Sequence, residues 1–121
     1  MYDVYSRSKL CNILFTISLH EKLQSTGVTT YTLHPGAIST NMTHQMQPGF
    51  KNILDFCLYW MFKTPIEGAQ TTIHCAVAKN IEKYSGSLFS DCRIVELYKT
   101  AKNPELAKGL WSLSEKLVKL E

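Results

Sequence analysis

Between Tyr5 and Gln24, apolar side chains recur at Leu10, Ile13, Leu14 and Ile17, with Cys11, Phe15 and Leu19 on a neighbouring stripe. Spacings of three and four predict a helix, ended by Gly27. Being apolar nearly all round, it should be buried on more than one side, against a sheet and against another helix or subunit. Val28–His34 (VTTYTLH) is dense in β-branched and aromatic residues and runs into Pro35-Gly36, which predicts a strand with a turn at its carboxyl end. Residues 37–49 carry Ser, Thr, Asn, Gln, Pro and Gly without a period and read as a loop. Phe50 to Phe62 (FKNILDFCLYWMF) is the most apolar stretch. It is too short to span a membrane but long enough for a helix of about three turns, expected to be core, with a lid over an apolar ligand or a membrane-surface contact as alternatives.

Pro65 to Ala78 predicts a further helix, with Pro65 in its first turn, Glu67 near the positive end, and Ile66, Ala69, Ile73, Ala76 and Val77 as the apolar face. Gly86–Ser90 reads as a short strand and Asp91 as a turn. Pro104 opens a last helix in which Leu106, Leu110, Leu113, Leu117 and Leu120 recur at three or four residues. The order helix–strand–helix–helix–strand–helix is that of an α/β fold, helix-rich with few strands, in which a parallel sheet is joined by helical crossovers.

Composition narrows the function classes. The chain has 121 residues, 45% apolar and 19% charged, with a formal net charge of +3. That length suits one domain with a real core, and the apolar content argues against disorder. No run reaches the roughly 18–20 apolar residues that a membrane-crossing helix needs. The start MYDVYSRSKL lacks the apolar core of a signal peptide. From Arg93 onward six basic and four acidic residues are interspersed, unlike the basic stripe of a nucleic-acid binder. Cys11, Cys57, Cys75 and Cys92 form no C-x-x-C pair and the four histidines are scattered, so no metal site is expected. A reduced, cytoplasmic compartment is expected. Attachment to the cytosolic face of the endoplasmic reticulum is the alternative, should a longer parent carry an N-terminal anchor.

Candidate chemistry lies at the start of the chain. Tyr5-Ser6-Arg7-Ser8-Lys9 places a phenol and an ammonium at i and i+4, one turn apart on the same helix face. A phenol is a poor proton donor or acceptor at neutral pH, and a neighbouring ammonium favours its charged form, which suits it to general acid–base work. The spacing alone is unspecific, since Tyr59/Lys63 and Tyr98/Lys102 share it. Context separates them. Only Tyr5/Lys9 opens a buried helix that leads into a strand and a Pro-Gly turn, and ligands of α/β sheets bind outside the carboxyl ends of strands. Tyr59/Lys63 reads as core plus surface, and Tyr98/Lys102 as a polar connection.

With these residues in view, the chain resembles the short-chain dehydrogenase/reductase family, within it the retinol dehydrogenase-like branch. YSRSKLCNILFT looks like the active-site helix of that branch, and GVTTYTLHPGAISTNM like its following strand and cofactor-binding turn. SGSLFSDCRIV resembles its last strand and LWSLSEKLVKL its terminal helix. The resemblance implies an oxidoreductase interconverting an apolar alcohol and a carbonyl, such as a retinoid or another lipid aldehyde, with NADP or NAD. Tyr5 would exchange the proton with the substrate oxygen, while Lys9 would assist it and bind the nicotinamide ribose. Pro35, Gly36 and Ile38 would line the nicotinamide, and Thr40 would contact its amide or the pyrophosphate. Residues 1–121 would then be the C-terminal, substrate-side half of a Rossmann-like doubly wound parallel sheet, without the N-terminal nucleotide-binding half. Alone, such a half is expected to give no detectable NADPH-dependent retinal reduction. The alternative is an inactive fragment or interaction remnant. Pairing with another copy through helix 5–24, and membrane contact through 50–62, are the partner surfaces expected.

Overall fold

A computed structural model of the chain describes residues 2–38 and 62–119. Helix α1 spans Tyr2–Leu23, and the chain reverses at Gly27 into strand β1, Thr32–His34. Helix α2, Pro65–Val77, is followed by a 3-10 turn at Glu82–Tyr84 and by strand β2, Leu88–Ser90. Strand β3, Arg93–Val95, a second 3-10 turn at Lys99–Lys102 and helix α3, Pro104–Val118, complete the order. The apolar 50–62 segment lies outside the described residues except for Phe62, as does most of the 37–49 loop.

The sheet is mixed rather than purely parallel. β1 and β2 pair in parallel, Leu33 opposite Phe89, with α2 lying in the connection between them as the sequence predicts. β2 then turns back on itself, placing Phe89 opposite Ile94 in an antiparallel pair. Asp91 and Cys92 make this reversal, both at positive φ (52° and 59°), which is the two-residue hairpin geometry that matches strand twist. β1 is shorter than the expected 28–34. The segment opposite its first half is still a 3-10 turn, so Thr30 is engaged by Ser85 and Gly86 instead of by a ladder.

Helix starts follow local chemistry. Thr64 caps α2 through a reciprocal pair: its Oγ1 accepts the Glu67 N–H (3.3 Å), and the Glu67 carboxylate accepts the Thr64 N–H (2.8 Å). Asn103 Oδ1 accepts from the N–H groups of Glu105 and Leu106 at the start of α3, where Pro104 takes the first position.

The buried faces differ from the apolar stripes of α2 and α3. On α2 the buried residues are Gly68 and Thr71, while Ile66 (76% exposed), Ile73 and Val77 face outward. On α3 Ala107 is buried and Trp111 half-buried, with Leu106, Leu113 and Leu117 exposed. Small residues let these helices approach their neighbours closely, and that closeness fixes which side is inside. α1 packs on β1 and along α3, burying Leu14 and Ser18, as expected for a helix with a sheet on one side and a helix on another. Phe89, 2% exposed, sits under α2. The Tyr31 ring meets it edge-on at 5.5 Å and the His74 ring at 5.9 Å. Burying such a side chain contributes about 2 kcal/mol.

Candidate active site

Tyr5 and Lys9 occupy the second and third turns of α1. Tyr5 is 63% exposed, and the Lys9 ammonium lies over its ring, 5.1 Å from the centroid. The i,i+4 spacing thus brings the two groups together as the sequence predicts, with the ammonium above the ring face. Ser8 Oγ donates to the Tyr5 carbonyl (2.7 Å), so this hydroxyl is spent on the backbone. Arg7 pairs with Asp3 at 2.9 Å on the same exposed end.

The second group is the turn that follows β1. Pro35, Gly36 and Ile38 are half-buried at the carboxyl end of the parallel pair β1–β2. Gly36 has φ +88°, a conformation that disfavours any side chain, and its N–H donates to His34 Nδ1 (2.8 Å). Thr40 lies outside the described residues.

Thr30 Oγ1 donates to the Thr16 carbonyl (3.4 Å), which sets the level at which α1 and the chain entering β1 run past each other in opposite directions. From Thr16 back to Tyr5 the helix rises roughly 16 Å. From Thr30 on to Gly36 an extended chain covers roughly 20 Å. No hydrogen bond joins Tyr5 or Lys9 to Pro35, Gly36 or Ile38 among the described residues.

Three residues around the turn escaped the sequence. Lys63 donates its backbone N–H to the Ala37 carbonyl (2.8 Å) and forms a parallel bridge with Ile38. Its ammonium is paired with Asp91 at the β2–β3 reversal. The hydrogen bond and charge of Lys63 hold the Asp91 carboxyl below the usual carboxylate range, with smaller pulls from His34 and Arg93. Gly68 of α2 lies against Ile38. The only available signals were a turn-forming Asp and a glycine inside a helix, neither of which names its partner.

The other candidates thin out. Lys102 is paired with Glu96 at 2.6 Å, and Tyr98 is 88% exposed. No cluster of three or more metal-ligating side chains occurs among the described residues, and none of Cys11, Cys75 and Cys92 is bridged to another. Burial raises the Cys75 thiol above its ordinary value, and the nearby Cys92 adds to this. No helix among the described residues is long and apolar enough to cross a membrane.

No family model matches the chain. Individual proteins do. Mouse retinol dehydrogenase 12 is 39% identical over 97% of this chain and 36% of its own length. Human retinol dehydrogenase 14 is 42% identical over 96% of this chain and 35% of its own. Bovine dehydrogenase/reductase SDR family member 13 is 38% identical over 96% and 31%. The chain therefore spans about a third of the length of these curated relatives. With such identity along nearly all of its residues, the chain belongs to the short-chain dehydrogenase/reductase family, in its retinol dehydrogenase-like branch.

Proposed function

We propose that this chain carries the acid–base pair and the nicotinamide-side turn of an NAD(P)-dependent oxidoreductase acting on an apolar alcohol or aldehyde of the retinoid kind. The observation that carries the reading is the exposed Tyr5 with the Lys9 ammonium over its ring one helical turn away, on the helix that leads into the strand closed by the Pro35-Gly36 turn. The named relatives support the substrate class.

Two features of the chain fit a nicotinamide group. The left-handed turn at Gly36 sets Pro35 and Ile38, which would offer apolar contacts to a flat ring, at the carboxyl end of β1. The exposed Tyr5 hydroxyl is accessible to a substrate oxygen. NAD(P), when bound, supplies or accepts the hydride. In reduction Tyr5 gives its proton to the carbonyl oxygen as that oxygen becomes an alcohol, and in oxidation it takes the proton back. The Lys9 ammonium favours negative charge on the phenol oxygen at that moment and offers donors to ribose hydroxyls. Thr40 contributes on the amide or pyrophosphate side.

On this reading residues 1–121 form the substrate-side part of a Rossmann-like, doubly wound domain. Their apolar α2 and α3 faces and the first turns of α1 would then be covered by other protein, another copy included. A cytoplasmic or cytosol-facing location is part of this reading. The alternative reading is a fragment or remnant of such an enzyme without turnover. NADPH consumption on addition of all-trans-retinal separates the two. Activity in the longest product of the gene, lost in Tyr5→Phe, supports the enzyme. Absence of activity in that product supports the remnant.

A further inference from the structure

We propose that the segment entering α2 is a clamp on the Pro35–Ile38 turn, with Lys63 and Gly68 as positioning residues for the nicotinamide side of the site. This rests on the reading above for its purpose, but its geometry stands independently.

The clamp grips at two points. At the first, the Lys63 N–H is bonded to the Ala37 carbonyl, and its side chain runs back across Gly36. A Cβ placed on Gly36 would lie 2.9 Å from Lys63 Nζ and 3.1 Å from both Cδ and Cε, so the lysine stem fills the space a side chain would need. Its ammonium ends on Asp91, at the carboxyl end of β2. The neighbouring Cys92 N–H donates to the buried Thr71 hydroxyl of α2 (3.3 Å), so the anchor is itself anchored. At the second point, a Cβ on Gly68 would lie 2.7 Å from Ile38 Cγ1 and would collide with Cδ1. The Ile38 side chain therefore occupies the position of the missing Gly68 methyl.

Between the two grips lies the first turn of α2, stiffened by Pro65 and by the Thr64–Glu67 reciprocal cap. Residues expected to line the nicotinamide are thus held from outside their own loop before any ligand arrives. A turn ordered in advance loses less freedom on binding, so the clamp should appear in cofactor affinity. It also accounts for glycine inside a helix, where its conformational cost is otherwise unrewarded.

The test is hydrogen exchange at the Gly36 and Ile38 amides, with NADPH affinity measured on the same proteins. Gly68→Ala and Lys63→Met (which keeps the stem and removes the charge) should each speed exchange at these amides, Gly68→Ala on the order of tenfold, leaving α1 and α3 unchanged. Ile38→Ala added to Gly68→Ala frees the space for the new methyl and should return exchange toward wild type, a coupling that general destabilisation does not produce. NADPH binding should weaken in Gly68→Ala and in Lys63→Met. Unchanged exchange in both single variants overturns the clamp, as does failure of Ile38→Ala to relieve Gly68→Ala. Altered exchange with unaltered NADPH affinity overturns the positioning role. If wild type binds no NADPH in the longest gene product, the proposed function fails, while the exchange results still judge the clamp.

Discussion

Phe15 of α1 stacks on Trp111 of α3, ring centroids 5.0 Å apart and planes 19° from parallel. The Lys22 ammonium also lies over the indole, 4.9 Å from the ring centroid, and the indole N–H donates to Glu115. These contacts join the helix bearing Tyr5 to α3. Because both rings remain partly exposed, Trp111→Ala should cost about 2 kcal/mol, below the range for a fully buried aromatic. A double-mutant cycle with Phe15→Ala, read by chemical denaturation, should give a coupling of about 1 kcal/mol. Additive effects would mean the stack carries no energy of its own.

A second link ties the other end of α1 to the sheet. Ser85 Oγ lies 2.9 Å from His20 Nδ1 and accepts the Thr30 N–H at 3.0 Å. One hydroxyl thus serves three stretches of chain. Ser85→Ala would leave a half-buried amide and a ring nitrogen without this partner, at a cost of about 2 kcal/mol. Urea denaturation checks it, and a cost within error of zero would show that water replaces the hydroxyl freely.

The hairpin reversal offers a change in the opposite direction. Cys92 is at φ +59° behind Asp91, where glycine is the favoured residue. Cys92→Gly keeps the N–H that bonds Thr71 and should raise stability by about 1 kcal/mol in thermal unfolding. A fall in Tm would mean that packing of the Cys92 side chain outweighs relief of the backbone.

Acid should loosen the turn region. Asp91, held down first by its hydrogen bond and charge pairing with Lys63, and Glu67, held down by its hydrogen bonds to Thr64, both have depressed folded values. A depressed carboxyl contributes stability that is fully present above its unfolded value, about 4, and is lost as pH falls through the folded value. Stability measured from pH 6 to pH 2 should therefore fall less steeply in Asp91→Asn than in wild type. Identical slopes would contradict the assignment. Both groups are exposed, so salt should shrink the effect.

Much of the fold was legible because its punctuation is local. Pro65 and Pro104 mark helix starts, Gly27 a helix end, and Pro35-Gly36 the close of β1, each through its own backbone restriction. The inward faces of α2 and α3 were misread for a physical reason. A hydrophobic stripe states what would gain from being covered, whereas Gly68, Thr71 and Ala107 state where a neighbour can come close. β3 escaped because Arg93–Val95 is short and its reversal uses Asp-Cys, a pair without a strong turn signature. Tyr5 and Lys9 were legible as a pair since their spacing is internal to one helix. Lys63 and Asp91 were not, because ions far apart in sequence meet only once the sheet has formed.

The central claim is that Tyr5 exchanges the proton in carbonyl–alcohol interconversion. Its most direct test is transfer of deuterium from 4-deuterated NADPH to the carbonyl carbon of all-trans-retinal by the longest product of the gene, with Tyr98→Phe as a control. Deuterated retinol from wild type and Tyr98→Phe, falling by about a thousandfold in Tyr5→Phe, is the predicted result. Transfer by Tyr5→Phe at the wild-type rate would contradict the account.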